Sequence, residues 1–210
     1  MKVSKKSVDF IISEEISSQA LYNQKYTGIV WPGGESGATI GVGYDLGYAT
    51  PADIERDWIK EIGIAQGNIL KMFAGIRGVR AKASIAGNPL AKQVNIPYQA
   101  AYNVFIRVSL PRYAKQALRI YPGLDQLTPD AAGAIVSMVY NRGMDLVGDR
   151  REEMRNIVPL VAAKDYAGIA DQIEKSKRLW SNGLVGRREK EAAMVRGSLR
   201  QYAGDELIEL

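Results

Sequence analysis

Between residues 24 and 48 the chain is rich in glycine, β-branched and aromatic residues and shows no helical period. Most of the remaining sequence reads as helix, so this stretch restricts the fold to a helical body carrying one small sheet near its N-terminus. Tyr26-Thr27-Gly28-Ile29-Val30-Trp31 and Ala38-Thr39-Ile40-Gly41-Val42 predict short strands about the turn Pro32-Gly33-Gly34. The expected class is α+β and predominantly helical.

The helical pattern is punctuated by recognisable starts and stops. A first helix is predicted over residues 7–20. Thr50-Pro51-Ala52-Asp53 has the order of a capped start, with Thr before the helix, Pro at its first position and an acid at its third. It predicts a helix over 51–62, followed by another over 64–76. A long pattern over 97–120 is bent or divided by Pro111. Thr128-Pro129-Asp130 repeats the Thr-Pro start and opens an Ala-rich helix ending at Asn141-Arg142-Gly143. Later helices are expected over 150–163, 166–177 and 187–196. The Gly/Asn-rich stretch 75–95 is the expected junction between an N-terminal lobe of about residues 1–80 and a helical C-terminal lobe of about 95–210. Both lobes would belong to one domain, 1–210.

Residue usage removes most hydrolytic chemistries. The 210 residues include no cysteine and no histidine. Thiol nucleophiles, Ser-His-Asp triads, disulfides and His/Cys zinc sites are therefore excluded. What remains is carboxylate chemistry, a Ser-Lys arrangement, or binding without catalysis. Lys plus Arg number 28 against 23 Asp plus Glu, for a pI near 9.3. That balance favours polyanionic partners such as nucleic acid, anionic headgroups or a cell-wall polymer. No apolar run reaches the roughly 18 residues of a membrane span, so no stable membrane insertion is expected. Asp9, Ser13, Glu14 and Glu15 interrupt the region after the basic start Met1-Lys2-Val3-Ser4-Lys5-Lys6. The expectation is cytoplasmic synthesis without a signal peptide.

Three residues stand out as candidates for chemistry. At about 100° per residue, Glu15 falls inside the arc formed by Val8, Ile11, Ile12 and Ile16, whereas Glu14 falls outside it. An acid among isoleucines is partly desolvated, which favours its protonated form and suits a general acid. The alternative is a structural pairing with a buried arginine, Arg142 or Arg187. Thr39 and Asp45 lie six positions apart with Gly41 and Gly43 between them. On a tight turn returning beneath the first helix, hydroxyl and carboxylate together hold a water opposite Glu15, as an inverting glycosidase requires. The alternative is a hairpin in which Thr39 fills a strand position and Asp45 stabilises the turn. Gly41-Val42-Gly43 lacks the further residues of a phosphate loop.

These residues resemble the lysozyme-like muramidases of phages, and within them the pesticin-type branch. The resembling pieces are Ser13-Glu14-Glu15-Ile16-Ser17-Ser18, Trp31-Pro32-Gly33-Gly34 and the loop from Ser36 to Gly47. More distant echoes are Ser137-Met138-Val139-Tyr140-Asn141-Arg142-Gly143 and Gly186-Arg187-Arg188 with Glu191-Ala192. The resemblance implies a two-lobed lysozyme-like fold with a cleft, and catalytic roles for Glu15, Thr39 and Asp45. Phage lysozymes usually carry Gly after the catalytic Glu, where Ile16 stands here, and often Asp six residues before the Thr, where Gly33 stands. Asp45 therefore follows the pesticin arrangement, and Glu35 is a possible substitute carboxylate.

The implied activity is hydrolysis of the β-1,4 bond between N-acetylmuramic acid and N-acetylglucosamine, with neither metal nor cofactor. Tyr44 and Asn141 are the candidate substrate-binding residues and Trp31 offers a further apolar face, with helix capping or core packing the alternative for each. The expected partner is the peptidoglycan glycan strand, met by a monomer after release as a phage endolysin or delivery as an effector or tail-associated lysin. Lytic transglycosylation is the alternative chemistry. The competing class is a basic nucleic-acid-binding or phage-structural protein. Its Lys and Arg residues after 110 are interspersed with acids and form no recognition helix, so no nucleic-acid partner is expected.

Overall fold

The computed structural model describes residues 1–181 and 183–210. In chain order the elements are β1 (Lys2–Ser4), α1 (Lys5–Ile16), α2 (Gln19–Lys25), β2 (Thr39–Ile40), β3 (Tyr44–Asp45), α3 (Pro51–Lys71) and α4 (Val79–Gly87). Then follow α5 (Tyr98–Val104), α6 (Leu110–Ile120), α7 (Pro129–Arg142), α8 (Glu152–Ala162), α9 (Tyr166–Lys175), α10 (Leu184–Arg196) and β4 (Leu207–Glu209). Among the described residues the protein is predominantly helical, with strands present as two short pairs. Packing divides it into two compact units: Glu15–Leu110, and Met1–Glu14 with Pro111–Leu210. The junction expected within 75–95 is thus corrected. That stretch lies inside the first of these units and contains α4 and a 3-10 turn at Pro89–Gln93. Its glycines and asparagines begin and end these short helices.

In the Glu15–Leu110 unit the first helix stops four residues earlier than expected. Ser17 adopts φ +61°, a backbone unfavourable to most L residues, and Ser18 caps α2 by accepting from the Leu21 N–H at 3.1 Å. The strand expected over Tyr26–Trp31 is reduced to one bridge, Val30 to Thr39, and Thr39 and Ile40 pair instead with Asp45 and Tyr44. β2 and β3 pair antiparallel with Thr39 opposite Asp45 and Ile40 opposite Tyr44. Gly41 and Gly43, at φ +58° and +70°, turn the chain between them. A Cβ on Gly41 would stand 2.9 Å from the Trp58 ring, so close packing as well as conformation requires glycine there. α3 carries a complete capping box between Thr50 and Asp53, then breaks at Gly63 (φ +80°), as the separate helices over 51–62 and 64–76 anticipate. Pro111 cannot donate a backbone hydrogen bond, and the helix widens to a π-turn over Phe105–Ser109 just before it. Trp58, Tyr22, Phe73, Ile40 and Ile54 form this unit's core.

In the second unit α7 is the central helix, with almost every side chain from Asp130 to Val139 buried. It begins after Thr128 and ends at Gly143 (φ +74°) as expected, but the Thr128 side chain makes no capping bond. Close approach to α1 is set by Gly133, where a Cβ would overlap the Ser7 side chain. β1 pairs antiparallel with β4, matching Val3 with Ile208.

Candidate active site

Within the Glu15–Leu110 unit, the C-terminal end of α1, the segment after α2 and the β2–β3 hairpin surround a cavity of about 220 Å³. Glu15 and Ile16 contribute one wall, and Tyr26, Val30 and Pro32 another. Thr39, Ile40, Gly41 and Gly43 complete it. Glu15 is half-buried, neither sealed in the core nor fully in water, while the neighbouring Ile11, Ile12 and Ile16 are buried. Its carboxyl is therefore the acidic group at a largely apolar recess. Twenty-four positions separate Glu15 from Thr39, and the fold brings both to one cavity.

Thr39 is half-buried, and its hydroxyl donates to the Gly37 carbonyl at 3.3 Å. Directly opposed residues of an antiparallel pair present their side chains on the same face, so Asp45 stands beside Thr39. The Asp45 carboxylate is held by backbone donors. The Gly37 N–H reaches Oδ1 and Oδ2 at 3.0 and 3.1 Å, and the Gly47 N–H reaches Oδ1 at 2.8 Å. The two glycines are needed for this approach. A Cβ on Gly37 would stand 2.5 Å from Asp45 Oδ1 and 2.4 Å from the Gly47 nitrogen. Asp45 thus caps the turn at Leu46–Tyr48 and adjoins the cavity's Thr39 without itself lining the recess.

Tyr44 requires a correction. It is 4% exposed, its hydroxyl donates to Asp57 Oδ2 at 2.9 Å, and its ring meets Trp58 edge-on at 5.4 Å. That makes it a core residue with no face open to a sugar ring. Alternation along β3 is the reason, since placing Asp45 on one face turns Tyr44 to the other. Asn141 belongs to the other unit, where it lines a different cavity and accepts from Arg188 Nη2 at 3.4 Å. Trp31 is half-buried, donates to the Ser36 carbonyl at 3.0 Å and lies 5.4 Å beneath the Lys82 ammonium. Glu35 is exposed at the loop surface. Tyr26, Val30 and Pro32 are cavity residues that sequence reasoning did not single out. Their signal was membership of the glycine-rich stretch, in its expected strand and turn.

The distant motif around Arg187 is a buried ionic cluster. Glu191 Oε1 accepts from the Ser137 hydroxyl at 2.6 Å, Arg188 Nη2 at 2.9 Å and Arg187 Nε at 3.3 Å. Complete burial pushes the Glu191 carboxyl upward, opposed by Arg188, the Ser137 hydroxyl and Arg187. Among the described residues, no group of three acids is placed to hold a metal ion, and no helix is long and apolar enough to cross a membrane. No protein-family model and no curated protein matches the sequence.

Proposed function

We propose that the chain is a lysozyme-like muramidase that cleaves the β-1,4 bond between N-acetylmuramic acid and N-acetylglucosamine in peptidoglycan. The observation that carries this reading is the recess shared by Glu15 and Thr39, with Asp45 beside Thr39 on the hairpin. In this mechanism the Glu15 carboxylic acid protonates the departing glycosidic oxygen. Thr39 and Asp45 hold a water for attack at the anomeric carbon, with Asp45 receiving its proton. The backbone N–H groups of Gly37 and Gly47 orient Asp45 without consuming all of its acceptor positions. Gly41 and Gly43 place bare backbone at the cavity, where a bulky glycan must approach closely. The chain's net positive charge favours adsorption to an anionic wall and makes activity fall as salt is raised. The working place is the cell wall, reached after release or delivery.

The test is clearing of a purified murein suspension by the wild type and by Glu15→Gln. Wild-type clearing with a rate loss of about 10²–10⁴ in the variant is expected for removal of a general acid. Equal clearing by both proteins rejects Glu15 as the acid, and no clearing by the wild type rejects the activity. Mass analysis of the products decides the chemistry. Reducing muramic ends mark hydrolysis, whereas anhydro-muramic ends mark transglycosylation and remove the water-activating role of Asp45.

A further inference from the structure

The unit containing α7 has its own cavity, of about 460 Å³, at the C-terminal end of that helix. Arg142, Arg150 and Arg151 line it together with Asn141, Asp149 and Trp180. Three guanidinium groups thus face one carboxylate. That carboxylate, Asp149, is 80% exposed and lies 3.4 Å from Arg178 Nη1. Arg142 is the unusual member, being only 7% exposed. Its Nη2 donates to the Arg150 carbonyl, but its buried Nη1 has no hydrogen-bond partner. The indole Nε1 of Trp180 is also buried and unpartnered, and the Arg150 guanidinium lies 5.2 Å over the Trp180 ring. The cavity thus gathers more guanidinium charge than the single acid lining it can offset.

The groups around Arg142 leave it with a surplus of positive charge. Arg151 and Arg188 repel the Arg142 cation, while Glu153 attracts it. Glu153 Oε1 is engaged by Arg178 Nε, and its buried Oε2 has no hydrogen-bond partner. Burial, reinforced by the two arginines, pulls the Arg142 guanidinium down to about 10. An anion in the cavity would reverse that penalty.

We propose that this cavity binds the phosphate group of a small phosphate monoester. A phosphate carries about −1.5 to −2 charge at pH 7 and only acceptor-rich oxygens. It therefore matches the surplus guanidinium charge better than a single carboxylate, and guanidinium forks suit its geometry. The volume lies within the roughly 300–1,000 Å³ of small-ligand sites, leaving room for a sugar-sized body beside Trp180. This inference does not depend on the glycosidase reading, since every residue it uses lies in the other unit.

Isothermal titration of the full chain at constant ionic strength tests it, using inorganic phosphate, glucose 6-phosphate, glucose and glucuronate. Saturable one-to-one binding is expected for both phosphate compounds, with none for glucose and at least tenfold weaker binding for glucuronate. A variant combining Arg150→Gln and Arg151→Gln should bind at least tenfold more weakly while melting like the wild type, since neither side chain is in the core. Absence of saturable phosphate binding overturns the proposal. So does equal affinity for glucuronate, or unchanged binding by the double variant.

Discussion

Asp45 and Glu191, one in each unit, are held in opposite ways. In Glu15–Leu110, Asp45 is held by the backbone N–H groups of Gly37 and Gly47, and Asp53 by the Thr50 hydroxyl and N–H. In the other unit, Glu191 is enclosed by Arg187, Arg188 and Ser137, and Glu153 is engaged by Arg178. Backbone donors fix a carboxylate in place while leaving it beside an open recess. A guanidinium cage satisfies charge in the interior and closes the acid to solvent. The difference teaches that burial alone does not mark a catalytic acid. Glu191 is far more buried than Glu15, yet its surroundings make it a fastener.

The strongest way to break this comparison is to empty the cage. Glu191→Ala strands two buried guanidinium groups and should cost about 3–5 kcal/mol in urea unfolding. Glu15→Gln should cost clearly less than Glu191→Ala, because it alters a half-buried group isosterically and creates no cavity. Similar losses at both positions would erase the distinction.

Glycine substitutions sharpen it. Gly37→Ala forces a Cβ against the Gly47 backbone and Asp45, with an expected loss of about 1–3 kcal/mol and disruption of the hairpin. Gly186→Ala, within α10 and with open space around its Cβ, should instead stabilise by about 0.4–1 kcal/mol. Thermal melting of both variants gives the signs directly.

A smaller effect is expected at the α3 cap. Thr50→Ala removes a capping bond and should cost about 1 kcal/mol. The smallest is its pH dependence. The Thr50 hydroxyl, then the Thr50 N–H, hold the Asp53 carboxyl down at about 2. Its folded value lies below its unfolded one, so the stabilisation is complete above about pH 4 and disappears as pH falls through about 2. Asp53→Asn should flatten that part of the acid-unfolding curve by less than about 1 kcal/mol, since the group is largely solvated. An unchanged slope would remove Asp53 from this account.

Much of the helical outline was legible because its signals are local. The Thr50–Asp53 cap, the break at Gly63 and the stop at Gly143 depend on residues within a turn of one another. The failures involve competition or distance. Tyr26–Trp31 has strand-like composition, yet only Val30 finds a backbone partner. α4 was missed because its neighbouring glycines and asparagines read as a loop. For the candidate site, the Thr39–Asp45 spacing was visible, but whether those side chains met water, backbone or core was not.

By itself, then, the sequence determined the capped start of α3, its break at Gly63 and the stop of α7, and that any hydrolysis must use carboxylates or a Ser-Lys arrangement rather than thiols or imidazoles. Tertiary structure alone decided the environment of each acid and aromatic. It brought Glu15 to the recess with Thr39, tied Asp45 to two backbone amides, turned Tyr44 into the core and caged Glu191 with Ser137, 54 residues away. The reason is range. Caps and turns are completed by neighbours in the chain, whereas the solvation and pairing of a side chain are completed by whatever the fold brings against it.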